Sequence, residues 1–416
     1  MSVEKPIYPG ATLGLIGIDF NGSALISACK QAGYNVGVYV DRPMPSVTHQ
    51  ADFTIVANYR EKAKLHEFGE NVDAVIYATT QVDAIVLKYL SKFTNVPQGV
   101  NALEIVQDRL MERAFLDQIN VNVAPYVTVI SLDDVYQSID SIGYPALLKP
   151  IQRGLGERSM RINRQTDISR AADFIDAGTY LLESWIDHTN EYTMVAATDG
   201  DKVITYPLAE LVLDDQRKLI EVKTPADVDD DMLKEMQRIM HSVASALQYR
   251  GVFSVNFYVT DTGNLYVKGL QPGLSAIANV FDKTANVSQY DQLLRTVVGM
   301  PMHQINHLQP ALMMVVRKAQ EDAIHRQWLL KDNWQYRFMM DVKNHPTALL
   351  GFVWITGMDS VKALQNQADD TEVWSKELPT ENGGETLTGD PRIDVPDGSP
   401  QNDKPTDQPS SDEDQH

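Results

Sequence analysis

The chain has 416 residues, with 56 acidic against 36 basic side chains, a formal charge of -20 and a pI near 4.8. That length exceeds one core and suits two or three domains, and that acidity argues against a nucleic-acid or anionic-membrane surface, whose binding rests on clustered Lys and Arg. The opening MSVEKPIYPG lacks a charged-then-apolar export pattern, no apolar run approaches ~18 residues, and the lone Cys29 lies in an apolar helical pattern; these features predict a cytoplasmic protein with no membrane span and no internal disulfide.

Apolar runs at residues 12–18, 35–40, 53–56 and 74–78 alternate with helical patterns at 22–32, 62–68 and 81–93. Strand and helix alternating at this spacing predict a Rossmann-like first domain over residues 1–100, a parallel sheet covered on both faces. Its first turn, Gly17-Ile18-Asp19-Phe20-Asn21-Gly22, is only a thin echo of a glycine-rich phosphate loop, and NAD binding is not expected from it. Helical signals over 101–118 follow, then a strand at 126–130 and a helix over 132–142 with Ser131 as N-cap.

From Pro145 the texture changes to hairpins, with strands expected at 146–149, 159–163, 179–185, 192–198, 202–211 and 219–222. A long amphipathic helix over 229–247 then leads into two strands, 251–259 and 264–269, around the turn Asp261-Thr262-Gly263, which is a strong hairpin signal. Residues 311–358 read as a small mixed module, Met313, Met314, Met339 and Met340 as core filling, and His303 with His307 as neighbours on a surface helix. Residues 379–416 carry ten acids against Arg392 and Lys404, with Leu387, Ile393 and Val395 as the only aliphatics. Such a segment cannot bury enough apolar surface to offset its ordering entropy, so a disordered acidic tail is expected, either solubilising or binding a protein partner.

Lys149 closes a strand and precedes a loop holding Arg153, Gly154, Gly156 and Arg158. Glycines let backbone N–H groups approach phosphate oxygens that the basic side chains neutralise, although a solvated hairpin loop would have the same spacing. Glu183 ends an apolar strand and Glu191 lies eight residues on; they would suit an adenine edge and a ribose hydroxyl, or simply be exposed strand ends.

Several segments decide between these readings when taken together. They are Ala102 to Leu110 (ALEIVQDRL), Val123-Ala124-Pro125-Tyr126, Gly143 to Lys149 (GYPALLK), Leu182-Glu183, Glu191, Thr224-Pro225-Ala226, Tyr249-Arg250-Gly251-Val252, Ser288 to Arg295 (SQYDQLLR) and Gly299-Met300-Pro301. In this order the chain resembles the ATP-grasp ligases, most closely the 5-(carboxyamino)imidazole ribonucleotide synthases of purine biosynthesis. The resemblance implies mixed α/β and α+β architecture: the Rossmann-like domain, a two-part ATP-grasp domain over 101–305 with a lid subdomain near 125–185, and a small C-terminal module over 306–360. It implies ATP or ADP as ligand, a possible homodimer, and phosphate contacts from Arg109, Arg113, Lys149 and Arg158, with Glu183 at the adenine hinge and Glu191 at the ribose.

The departures from the family fall where its chemistry happens. Its two magnesium-binding glutamates correspond to Asn256 and Gly269, so Mg²⁺ binding is expected to be weak or absent, with Gln271 a weak substitute on the same strand face. Strand alternation would point Lys268 to the opposite face. The family's acceptor-phosphate arginine and histidine-asparagine pair are replaced within Pro272-Gly273-Leu274-Ser275-Ala276, and two glutamates after a tyrosine become Ala78 and Thr80, following Tyr77. Loss of one donor in such a site often costs ~100-fold in rate. The expectation is a degenerate relative that keeps adenine-nucleotide binding with little or no ligase activity. The alternatives are a working ligase using Asn256, Gln271 or Glu210 around the metal, and a scaffold with an empty cleft.

Overall fold

The computed structural model describes residues 5–153, 159–175, 178–214, 217–340 and 342–374. The acidic segment 379–416 and Arg158 lie outside the described residues. Strands β1 (Thr12–Ile16), β2 (Asn35–Val40), β3 (Phe53–Val56) and β4 (Ala74–Tyr77) form a parallel sheet in the order β3-β2-β1-β4. Their near-continuous apolar runs fit a sheet covered by helices on both faces. The helical stretch expected over 101–118 is two helices, Asn101–Gln107 and Arg109–Gln118. Asp108 breaks it: its backbone is extended, and its carboxylate caps the second helix by accepting from Leu110 N and Met111 N.

Strands β5 (Tyr126–Val129), β6 (Ala146–Pro150), β7 (Met160–Ile162) and β8 (Tyr180–Ser184) make an antiparallel sheet in the order β5-β8-β6-β7. Ala146, Leu148, Tyr180 and Leu182 pack under the helix Leu132–Ile142, which Ser131 and Asp134 hold in a capping box. The two-residue period then sends Leu147 and Lys149 of β6, and Glu183 opposite Leu147 on β8, to the other face.

The third sheet is antiparallel, in the order β14-β13-β9-β11-β12-β15-β17-β16 with β10 beside β9. Its strands are β9 (Asn190–Thr198), β10 (Val203–Thr205), β11 (Ala209–Leu213), β12 (Leu219–Thr224), β13 (Gly251–Val259), β14 (Leu265–Pro272), β15 (Ala311–Arg317), β16 (Trp334–Phe338) and β17 (Leu349–Thr356). Tyr192, Met194 and Ala196 of β9 and Phe253, Val255 and Phe257 of β13 pack with the buried stripe of the helix Asp230–Leu247. By alternation Glu191, Thr193, Asn256 and Tyr258 face away from that helix.

Long-range pairing changes four readings. Residues 202–211 hold two short strands, interrupted at Tyr206-Pro207-Leu208, where Pro207 has no N–H to donate. The segment read as a module over 306–360 continues the central sheet, because β15 pairs with β12. No helix forms over 301–310, and His307 bridges to Ala285 instead. Met313 and Met314 are buried, but Met340 is 83% exposed. Among the described residues, no helix is long and apolar enough to cross a membrane.

Candidate functional site

The cation-bearing face of the β5-β8-β6-β7 sheet and the free face of β9-β13-β14 meet the start of the helix Arg109–Gln118, and three carboxylates are held there. Glu183 receives Arg113 Nε at 2.8 Å and Lys149 Nζ at 3.0 Å. Burial alone would raise the Glu183 carboxyl, but Arg113 and Lys149 override it and hold the group at about 2. Burial lowers the Lys149 ammonium below its ordinary value, with Glu183 opposing. Arg113 also donates from Nη2 to the Lys268 carbonyl at 2.9 Å, so one guanidinium ties β8 to β14.

Glu191 on β9 is the second carboxylate. Its Oε1 accepts from Arg217 and lies 2.9 Å from His188 Nε2, and its Oε2 accepts from Lys268 Nζ at 3.2 Å. His188 stacks on Tyr258 with ring centroids 4.0 Å apart, and Arg161 lies 4.2 Å over the Trp185 ring. Burial lowers the His188 imidazole below its ordinary value, with the Ile186 carbonyl opposing and Arg217 and Lys268 pushing the same way as burial.

Glu112 is the third, and the sequence did not single it out. It is fully buried; its Oε1 accepts from Leu270 N at 2.7 Å and its Oε2 from Arg153 at 2.6 Å. The available signal was its place on the stripe Glu112, Phe115, Leu116, where an acid at i, i+3, i+4 spacing with apolar residues needs a partner. Arg109 braces the same junction, donating from its side chain to Pro150 O at 2.7 Å.

Asn256 and Gly269 are direct partners across β13 and β14. The Asn256 carboxamide oxygen accepts from the Thr193 hydroxyl at 2.6 Å, and Gln271 donates to Leu274 O at 3.3 Å. A Cβ at Gly269 would stand 3.0 Å from Glu112 Oε1 and 3.7 Å from Arg153 Nη2. A hard divalent cation needs several oxygen ligands, yet the position opposite Asn256 has no side chain and the adjoining carboxylate is tied to a guanidinium. The donor set therefore does not fit Mg²⁺. Glu210, opposite Tyr192 on β11, shares the helix-covered face and is not a ligand toward Asn256.

Lys268 corrects the simple alternation. The register skips it: Asn256 pairs with Gly269 and Phe257 with Val267, a β-bulge. Val267 and Leu270 both enter the helix-side core, so the two residues between them share the opposite face. The Lys268 ammonium consequently reaches Glu191 and lies 5.2 Å over the Tyr258 ring.

Beyond this cleft, the segment Pro272 to Ala276 is packed against the first sheet. Leu274 N donates to Ala78 O at 2.7 Å and Gly273 N to Val252 O at 2.8 Å. Gly273 has φ +93°, and a Cβ there would meet Ala78 O at 2.5 Å. Asn21, Asn279, Gln289, Tyr290 and Ser275 form a buried hydrogen-bonded network beside it.

The family model described as the ATP-grasp domain matches residues 114–275. Over 348 residues the chain is 26% identical to N5-carboxyaminoimidazole ribonucleotide synthase of Staphylococcus epidermidis, covering 82% of this chain and 91% of that one. It is 28% identical over 314 residues to the Bacillus subtilis synthase, covering 75% and 82%. Among solved structures, N5-carboxyaminoimidazole synthetase from Staphylococcus aureus complexed with ADP superposes with a TM-score of 0.83 at 22% identity, covering 90% of this chain and 100% of that chain. The Aspergillus clavatus synthase in complex with ADP and 5-aminoimidazole ribonucleotide gives 0.78 at 18% identity, covering 88% and 99%.

Proposed function

We propose that this chain, an ATP-grasp protein homologous to the N5-carboxyaminoimidazole ribonucleotide synthases, binds adenine nucleotide in the cleft around Lys149, Glu183 and Glu191 with little or no ligase activity. One observation carries the second half: the pair Asn256 and Gly269 offers a single carboxamide oxygen, already hydrogen-bonded to Thr193, and the space beside Gly269 is taken by the Glu112–Arg153 ion pair. The first half is supported by the buried Arg113–Glu183–Lys149 group, which presents fixed positive charge on the sheet facing β9. The homologues named above include structures complexed with ADP.

Ligase turnover needs an acceptor as well as a nucleotide. Gly273 and Leu274 hydrogen-bond directly into the first and third sheets, so the segment that would carry an acceptor-phosphate arginine has no room for a side chain at 273. A second reading has its own support: Glu191, the expected ribose group, is already held by Arg217, His188 and Lys268, as a closed scaffold would hold it. A thermal-shift titration separates the two, because a ligand that binds only the native state raises its melting temperature. ATP and ADP should each raise it in a saturable way; no shift with either at millimolar concentration supports the scaffold.

A further inference from the structure

We propose that Lys268 is a built-in counter-cation for the phosphate chain, so that the cleft selects nucleotide free of divalent metal. This rests on the nucleotide-binding reading above and adds the group that replaces the ion. The bulge in β14 delivers an ammonium to the face that holds Asn256, beside the Gly269 position from which a metal-binding carboxylate is missing. The two changes belong together electrostatically. A carboxylate pair attracts a divalent cation that then bridges to phosphate, whereas an ammonium in the same corner repels that cation and attracts phosphate directly.

The surroundings favour an anion. Among the described residues, the ion pairs of the cleft join five cations (Arg113, Lys149, Arg153, Arg217 and Lys268) to three carboxylates (Glu112, Glu183 and Glu191), leaving an excess of positive charge. Arg113 spans from Glu183 to the Lys268 carbonyl, which puts the lid cations and the bulge on opposite ends of one guanidinium. Lys268 is held in place by Glu191 and by the Tyr258 ring, on the face that carries Asn256 and the Gly269 position. A nucleoside di- or triphosphate brings about three to four negative charges, enough to offset that excess without a metal.

The test is calorimetric titration of the full chain with ATP and with ADP, in EDTA and in excess Mg²⁺, for wild type, Lys268→Met and Lys268→Arg. Wild type should bind metal-free nucleotide at least as tightly as the magnesium complex. Lys268→Met should weaken metal-free binding roughly 10- to 100-fold while affecting the magnesium complex less, and Lys268→Arg should recover most of the loss. A wild-type preference of about tenfold for the magnesium complex overturns the proposal whatever the variants do, as does a folded Lys268→Met protein that binds metal-free nucleotide within about twofold of wild type. No binding by wild type in either buffer overturns the nucleotide reading itself.

Discussion

The two walls of the cleft carry different chemistry. On the lid wall, Lys149 and Glu183 stand on adjacent strands and pair directly, and Arg113 completes a buried ion network on the same carboxylate. On the sheet wall, Asn256 and Gly269 pair across the hairpin with no carboxylate between them, Glu112 lies beside Gly269, and Lys268 reaches Glu191. The hairpin is specified by its apolar alternation and its turn, which are indifferent to the ligand-facing residues, so the fold can persist while the chemistry on one face changes.

The sharpest way to break this comparison is to remove the carboxylate of the retained wall. Glu183→Ala leaves Lys149 buried without its carboxylate and Arg113 with only the longer Glu112 contact at 3.9 Å, which should destabilise the protein by about 3–5 kcal/mol in denaturant melts, as well as abolish nucleotide binding. Lys149→Ala should cost much less stability, since Arg113 still satisfies Glu183. Equal small effects from both would mean that the network is not the organising element of that wall.

On the altered side, Gly273→Arg tests whether the acceptor segment is closed. At φ +93° with Ala78 O 2.5 Å from a Cβ, the substitution should destabilise by ~2–4 kcal/mol, from backbone strain and overpacking together. A fully stable Gly273→Arg protein that binds aminoimidazole ribonucleotide would show the segment to be open.

The pH dependence separates the cleft from the middle of the third sheet. Glu183 is held at about 2, below the ordinary 4.5, so its contribution is present above pH ~4.5 and is lost as pH falls toward 2. Glu221 on β12 behaves oppositely. Burial lifts it from 4.5 to about 7, with Lys223 opposing and Asp369 adding to the rise, so the native state holds the proton longer and stability falls as pH rises from 4.5 to 7. Glu221→Gln should remove that neutral-side slope, worth up to ~3 kcal/mol, and leave the acid limb intact. An unchanged slope between pH 5 and 7 would assign it to another group.

Smaller effects are expected from restoring the metal positions. Asn256→Glu with Gly269→Glu adds two carboxylates beside Glu112 and should confer a Mg²⁺-dependent stabilisation of ~1 kcal/mol that wild type lacks. It should not produce turnover, because Ala78, Thr80, Gly273 and Ser275 are unchanged. The smallest effect should follow deletion of residues 379–416, whose composition supplies neither a core face nor a basic phosphate contact. The melting temperature and nucleotide affinity should not move, and a fall of several degrees would show that the segment docks on the body.

What could be read from the sequence were the features with local causes. Continuous apolar runs marked the parallel sheet, and the turn Asp261-Thr262-Gly263 between two apolar strands marked the β13–β14 hairpin. The helix Val361–Asp369 was also within reach, since Ser360 caps it and Val361, Leu364 and Ala368 carry its apolar spacing. The β14 bulge was not, because register is set by pairing with β13 and by the helix-side core rather than by residues 267–270 alone. Glu112 and Arg217 find their partners more than twenty residues away, Arg153 in one case and Glu191 in the other, and the pairing of β15 with β12 likewise arises only when distant strands meet.

The central claim is that this cleft holds nucleotide without consuming it. The direct measurement is to incubate stoichiometric labelled ATP with the protein, Mg²⁺, aminoimidazole ribonucleotide and bicarbonate, isolate the complex by rapid gel filtration, and identify the bound nucleotide. Intact ATP as the recovered bound nucleotide is the predicted result; magnesium-dependent conversion to ADP and phosphate at a rate on the order of 1 per second, typical of a working enzyme, would contradict it.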